Sequence, residues 1–291
     1  MQILTINTRR FHIPQSWEEV PLEQRLAYWL IINDELNATV ARSEETWLIR
    51  LRLLLLTTDQ SIDFEGWKTS AGDQYDWEVE QVVRLFDWIY TQEEDDDGHI
   101  LLSISPTMDA VPVPPIELHL LDGTPTVWSL PDAGMKNITF GELIKVFTCV
   151  ETFAEGDKTQ LDELVAVICR PERQGLYADT RIPYVGYEFL TGERLKLTFQ
   201  VHPSVKEFIM FWAQCIHYYY TSSYANLFSA ADKEAERVGN DYRWAGLVMA
   251  LSSDVTKIPE VMNQPGEDVF VYLSYMEDER KRQDREMKKL S

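Results

Sequence analysis

The sequence predicts a mainly α, multi-helix globular protein with a small β-hairpin or strand insertion. Apolar residues recur at helical spacing in several long segments. A serine or threonine followed three residues later by glutamate, the capping-box pattern, marks three predicted helix starts. One proline-rich stretch, residues 99–131, has strand and turn patterns instead. With 291 residues and 45% hydrophobic content, the chain can bury a substantial core.

The first hundred residues are predicted to be mainly helical. Ser16 and Glu19 form the first capping box, in which each side chain is expected to accept a hydrogen bond from the other residue's backbone amide. In the third helix, Val79, Val82 and Phe86 recur at helical spacing, and we expect this helix to end in the acidic run that follows. The predicted elements are a short strand over residues 1–6 and helices over residues 22–37, 43–56 and 79–90.

The segment 99–131 differs in character from its surroundings. Residues 100–104 predict a strand, and a proline-rich stretch follows it. Residues 117–121 and 126–130 are separated by Asp122-Gly123, which predicts a hairpin.

Helices are predicted again from Thr139 onward. Thr139 and Glu142 form the second capping box, and Ser204 and Glu207 form the third. The third box opens the strongest helix, whose apolar stripe is Val205, Phe208, Ile209, Trp212, Cys215, Ile216 and Tyr219. Further helices are predicted around residues 140–147, 161–168, 241–252 and 268–289.

These elements predict three regions along the chain. Residues 1–98 form an N-terminal helical region with a short leading strand, and residues 99–131 form the small β insertion. Residues 132–291 form a C-terminal helical region, which is expected either to stand alone or to share one domain with residues 1–98.

Charge and cysteine content exclude several classes of protein. Lys and Arg total 27 against 48 Asp and Glu, a net charge of −21, so we expect neither nucleic-acid nor membrane-surface binding. The three cysteines, Cys149, Cys169 and Cys215, have no disulfide or zinc spacing and are expected to be buried thiols in a reducing cytosol. The N-terminus lacks a signal-peptide layout, and no segment is expected to span a membrane.

The acidic run at residues 93–97 is the candidate metal site. Glu93, Asp95 and Asp97 stand at positions 1, 3 and 5 of a calcium-binding loop, and Gly98 stands at position 6. Position 12, which should be a bidentate glutamate, is Ile104. A solvated acidic turn is therefore the expected structure, with a metal site as the alternative.

The sequence shows no pattern of nucleophilic or phosphate-transfer chemistry. It has no Gly-x-Ser-x-Gly elbow, no His-Glu-x-x-His pair and no Walker motif, so we predict a protein without enzymatic activity or cofactor. Large aromatic side chains favour a protein interface or a core instead. The residues predicted to bind a partner are Trp212, Tyr218, Tyr219, Tyr220, Trp244, Tyr272 and Tyr275.

Four segments together resemble a family of uncharacterised virion-associated proteins of tailed phages and prophages from Bacteroides-type hosts. They are residues 13–20 (IPQSWEEV), 138–142 (ITFGE), 164–171 (LVAVICRP) and 244–247 (WAGL), in the family's order. The family pattern has a tyrosine before the Arg-Pro pair, where this chain has Cys169. No catalytic residue carries over from this resemblance.

The resemblance implies a non-enzymatic accessory protein in phage or prophage tail assembly or virion structure, similar to a tail-assembly chaperone. Its expected partners are other phage or virion proteins, with a homo-oligomer left open, and its expected location is the host cytoplasm or the virion. Two alternatives from other classes are a metal-dependent hydrolase that uses acidic residues and an acidic DNA-mimic inhibitor.

Overall fold

A computed structural model describes residues 2–6, 9–40, 46–56, 63–94, 100–120, 122–171, 194–228, 243–252 and 254–290. Most of these residues are helical and the strands form only small antiparallel sheets, so the predicted mainly α class with small strand insertions is confirmed. Contacts divide the chain into two compact units, residues 1–113 and 114–291. This boundary falls inside the 99–131 segment, whose strands belong to a sheet of the first unit and a sheet of the second.

The first unit combines two hairpins with a group of helices. Its elements are β1 (Gln2–Ile6), β2 (Arg9–Ile13), α1 (Leu22–Val40), α2 (Thr46–Leu56), α3 (Phe64–Ala71), α4 (Tyr75–Arg84), β3 (Tyr90–Glu94) and β4 (Ile100–Ile104). β1 pairs with β2, and β3 pairs with β4, both antiparallel. The sequence predicted β1 and β4 but not their partner strands. Trp17, Tyr28 and Leu53 are among the buried side chains of this unit.

The helix predicted over residues 79–90 is wrong in its second half. Helix α4 ends at Arg84, and β3 begins at Tyr90. Phe86 and Ile89 are fully buried, which explains why their spacing imitates a longer helical stripe. The backbone instead leaves the helix, because β4 supplies hydrogen-bond partners along the whole of β3.

The second unit consists of helices and one small sheet. Its elements are β5 (Ile116–His119), β6 (Pro125–Ser129), α5 (Phe140–Ala154), α6 (Gln160–Ile168), β7 (Arg170–Pro171), α7 (Pro203–Ser223), α8 (Arg243–Ser252), α9 (Ile258–Met262) and α10 (Gly266–Leu290). The predicted hairpin is confirmed as β5 and β6. The short strand β7, which was not predicted, pairs with the other edge of β6.

Helix α5 lies at the centre of the second unit, where α6, α7, α9 and α10 all contact it. The side chains of Leu143, Phe147, Leu164, Phe208 and Trp212 are completely buried. Burying each such side chain contributes about 1.5–3 kcal/mol, so these helices are held together mainly by the hydrophobic effect.

None of the described helices is both long enough and apolar enough to cross a membrane.

Two of the three predicted capping boxes are wrong. The Ser16 side chain caps nothing, and the Glu19 carboxylate accepts a hydrogen bond from the Gln15 amide at 2.8 Å. Helix α7 begins one residue before Ser204, at Pro203, and His202 Nδ1 accepts the Ser204 amide. Proline suits the first helical position, because it has no amide hydrogen to leave unpaired and its φ is already helical.

The predicted box at Thr139 and Glu142 is confirmed, and it includes a buried ion pair. Glu142 Oε2 accepts hydrogen bonds from the Thr139 amide at 2.9 Å and from the Thr139 hydroxyl at 3.0 Å. Glu142 Oε1 accepts a hydrogen bond from Arg170 Nη2, and both side chains are almost completely buried. Arg170 Nε also donates to the Val167 carbonyl. The pair therefore joins the start of α5, the end of α6 and strand β7.

The start of α5 also holds the loop that leads into α10. The Phe140 amide donates to the Gln264 carbonyl at 2.8 Å, and the Gly266 amide donates to the Ile138 carbonyl at 3.0 Å. A Cβ at Gly141 would lie 2.8 Å from Met262 Cε and 3.2 Å from the Met262 carbonyl oxygen. Glycine at this position therefore allows the two backbones to approach closely.

All three cysteines are free and buried, which confirms the expectation of buried apolar thiols. Burial raises the pKa of the Cys149 thiol to about 12. The thiolate is the reactive form, so burial keeps this side chain in its less reactive thiol form at neutral pH.

We expect Arg170→Met to lower the free energy of unfolding by about 3–5 kcal/mol, because it removes the buried guanidinium that balances the charge of the buried Glu142 carboxylate. Urea denaturation measures the change. The double variant Glu142→Gln/Arg170→Met should lose less than the sum of the two single losses. The control is Arg84→Met, which removes an exposed pair with Glu80 and should cost less than about 1 kcal/mol. A loss for Arg170→Met as small as that of the control would contradict this interpretation.

We also expect the native protein to react slowly with a thiol reagent such as 5,5′-dithiobis-(2-nitrobenzoate), because Cys149, Cys169 and Cys215 are buried. In denaturant all three thiols should react rapidly. Absorbance of the released thiolate measures both rates. A fast native phase would show that at least one cysteine is accessible.

Candidate protein-binding surface

The inner face of α10 is fixed by an aromatic cluster around Phe270. Its ring centroid lies between 5.0 and 6.2 Å from those of Phe140, Phe147, Tyr220, Tyr224, Phe228 and Trp244. Aromatic pairs at such distances contribute about 0.5–1.5 kcal/mol each beyond simple burial. The cluster therefore attaches the first half of α10 firmly to α5, α7 and α8.

A carboxylate at the edge of this cluster binds two tyrosine hydroxyls. Tyr220 donates to Glu267 Oε2 and Tyr224 donates to Glu267 Oε1, each at 2.8 Å. Burial raises the pKa of both phenols, and the hydrogen bond to Glu267 raises it further, because a neighbouring negative charge opposes ionisation of the phenol. Both tyrosines are therefore held as neutral donors.

Asn226 provides a second attachment, about two helical turns further along α10. Its side-chain amide donates to the Ser274 carbonyl, to the Ser274 hydroxyl and to the Asp278 carboxylate at 3.0–3.2 Å. The inner face of α10 is thus anchored from Glu267 to Asp278, which determines which face of the helix points outward.

The outward face of α10 carries four large exposed side chains, Val271, Tyr272, Tyr275 and Met276, which we call the α10 stripe. Tyr275 is the most exposed of them, at 64%. The four side chains lie within two successive turns of one helix, in which Val269, Phe270 and Leu273 are buried. Grouped apolar and aromatic side chains on an exposed surface are typical of a protein-binding site.

The structure divides the residues that were predicted to bind a partner. Trp212 and Tyr220 are core residues, 0% and 1% exposed, so their assignment to a partner surface is corrected. Trp244 is half-buried and packs against Phe147 and Phe270.

The four remaining predicted residues are exposed: Tyr218, Tyr219, Tyr272 and Tyr275. The first two lie at the end of α7 and the last two belong to the α10 stripe. The sequence prediction omitted Val271 and Met276, although Val271 lies four residues before Tyr275 and Met276 lies four residues after Tyr272, a spacing that places each beside a tyrosine on the helix surface.

The candidate metal ligands are only partly described. Glu93 lies in β3 opposite Leu101, whereas Asp95 and Asp97 lie outside the described residues. A strand precedes the acidic run, so the helix expected there by analogy with a calcium-binding loop is wrong. Among the described residues, no group of three or more His, Cys, Asp or Glu side chains is placed to hold a metal ion.

A depression of about 330 Å³ lies on the second unit, beside α6 and the start of α7. Two of its lining carboxylates already have cationic partners, since Lys206 Nζ lies 2.5 Å from Asp162 and Lys145 Nζ lies 2.7 Å from Glu163. Partial burial raises the pKa of Asp162, but hydrogen bonds from Lys206 and Thr198 outweigh this effect and keep the pKa below its usual value. These charges stabilise the fold, so the depression is a weaker candidate site than the α10 stripe.

No protein-family model, curated protein or solved structure matches this chain. The resemblance to virion-associated phage proteins therefore stays a prediction.

We expect the free energy of unfolding to fall as the pH rises above about 10, because the folded-state pKa values of Tyr220 and Tyr224 are raised. The stabilisation is complete below the unfolded pKa of about 10 and is lost as the pH approaches the higher folded values. Urea denaturation across this pH range measures the effect. Glu267→Gln should make the total loss of stability smaller, because removing the neighbouring negative charge brings the folded-state pKa values closer to the unfolded value. An equal total loss in that variant would contradict the role of Glu267.

Proposed function

We propose that the protein acts by binding other proteins through the α10 stripe. The observation that carries this proposal is the pairing of a firmly anchored inner face with an exposed aromatic outer face on one helix. A helix that is already fixed loses little conformational entropy when a partner binds, so its exposed side chains can contribute most of their burial energy to affinity.

The composition of the stripe also favours a protein partner. Tyrosine and methionine are enriched at protein interfaces, where they supply large contact areas. Acidic residues border the stripe at Asp268 and Glu279, so a partner surface that combines apolar groups with positive charge fits it best.

The proposed setting is a phage or prophage, in which the protein serves as a non-enzymatic assembly or structural accessory of the tail or virion. The four segments that resemble virion-associated proteins support this setting. Its partners would then be other virion or tail-assembly proteins, met in the host cytoplasm or in the particle, or a second copy of this chain.

The test is co-purification of the tagged full chain from cells that produce phage, with virion proteins identified by mass spectrometry. We expect a tape-measure or other virion protein to co-purify. The double variant Tyr272→Ala/Tyr275→Ala should reduce its recovery about tenfold or more, because central interface aromatics carry much of the binding energy.

The matched control is Trp77→Ala, which removes an exposed aromatic side chain from α4 in the other unit. Recovery should stay at the wild-type level for this variant. Equal recovery with the wild type and the double tyrosine variant would contradict the role of the stripe, and no virion protein in any sample would contradict the proposed setting.

A further inference from the structure

Helix α10 has an uneven charge distribution along its length. Its first fourteen residues, 266–279, contain five acidic residues and no basic residue. The remaining eleven residues, 280–290, which we call the basic extension, contain six basic and two acidic residues. A chain with a net charge of −21 therefore concentrates positive charge at one end of a single helix.

One seam runs along the outward face of both halves. Tyr272, Tyr275, Glu279, Arg282 and Glu286 follow one another at alternating spacings of three and four residues. This is the spacing with which one helix packs along another. The seam begins with the aromatic side chains of the stripe and continues with charged side chains of both signs.

The basic extension is largely exposed. Every described side chain within residues 282–288 is exposed. The extension continues for about 16 Å at the rise of an α-helix. Its salt bridges, such as the one between Arg282 and Glu279, are exposed pairs within the helix and contribute little stability. A helix that is polar on all sides is marginally stable unless a partner packs against it.

We propose that α10 pairs antiparallel with α10 of a second copy of this chain, with Glu279 of each copy facing Arg282 of the other. The two-fold axis lies between residues 280 and 281. This inference rests on the proposed function, because it names the occupant of the α10 stripe.

In this register the basic extension of each copy covers the stripe of the other. Tyr275 faces Glu286 of the second copy, so the phenol can donate a hydrogen bond to the carboxylate. Met276 faces Arg285, whose aliphatic stem can cover the methionine. At the axis, two Glu279 and two Arg282 side chains form a cluster of alternating charge. The interface is isologous, so each contact occurs twice.

The net charge does not prevent this pairing. The Debye length is about 8 Å at physiological ionic strength, so repulsion between distant acidic surfaces is largely screened. Salt screens the attraction between opposite charges in direct contact at the axis much less. We therefore expect a weak, reversible dimer whose partners are selected by charge pattern.

The test is sedimentation equilibrium of the full chain over about a hundredfold range of concentration, which covers two decades of dissociation constant. We expect a monomer–dimer equilibrium. Glu279→Arg alone and Arg282→Glu alone should each weaken self-association about tenfold or more, because each places like charges opposite one another across the axis. The control Arg84→Glu changes an exposed, paired arginine on α4 and should leave the equilibrium unchanged.

An equimolar mixture of the Glu279→Arg and Arg282→Glu proteins should recover the wild-type dimer, because every position at the axis then faces an opposite charge. Loss of the ion pair within each helix would not be repaired by mixing, so recovery identifies a contact between copies. A chain that stays monomeric, or a mixture that associates no better than either variant, overturns the pairing. In that case, loss of virion-protein recovery in Tyr272→Ala/Tyr275→Ala would still support the proposed function, whereas unchanged recovery would contradict it.

Discussion

The buried ion pair between Glu142 and Arg170 is the constraint on which the second unit depends. Two charges removed from water are tolerated only if each satisfies the other, so the start of α5 and strand β7 must come together during folding. Glu142 also caps α5 through Thr139, and the same short segment binds the backbone of the loop before α10. The same segment therefore helps to position α10, whose exposed face is then determined by the aromatic cluster around Phe270 and by the hydrogen bonds of Glu267 and Asn226.

The segments that resemble virion-associated proteins contain the elements of this constraint. Glu142 lies in the segment 138–142 and Arg170 in the segment 164–171, and Trp17 of the first segment is buried in the other unit. These residues determine packing, and none of them presents a reactive group at the surface. These segments therefore bear on the packing of the core more directly than on the binding of a partner. The exposed side chains that can bind a partner, such as Tyr272 and Tyr275, lie outside those segments.

Helices with a continuous apolar stripe were predictable, because their signal is local. Helix α5 and its capping box follow directly from Thr139, Glu142 and the apolar residues between them. Strands β3 and β7 were not predicted, because a strand depends on hydrogen bonds from another segment: β3 pairs with the neighbouring β4, and β7 pairs with β6, which precedes α5 and α6 in the chain. The binding surface was partly predictable. In α7 the buried face passes from Ile216 to Tyr220, four residues on, whereas the predicted stripe continued three residues on to the exposed Tyr219. Whether the next buried residue of a helix lies three or four positions further on depends on where the neighbouring helices pack. The sequence of α7 alone does not specify this.

Charge determines what can bind a surface of this kind. A strongly acidic chain repels other acidic surfaces, so apolar patches on it do not associate indiscriminately. The aromatic side chains of the α10 stripe are bordered by carboxylates, and this border selects partners that bring positive charge together with apolar contact. The same helix carries positive charge only in its last eleven residues, next to side chains long enough to cover a tyrosine ring. Attraction is therefore confined to one orientation of approach, in which the basic end of one helix meets the acidic end of another. Selectivity then arises from the order of charges along α10, and affinity arises from the aromatic area that this order brings into contact.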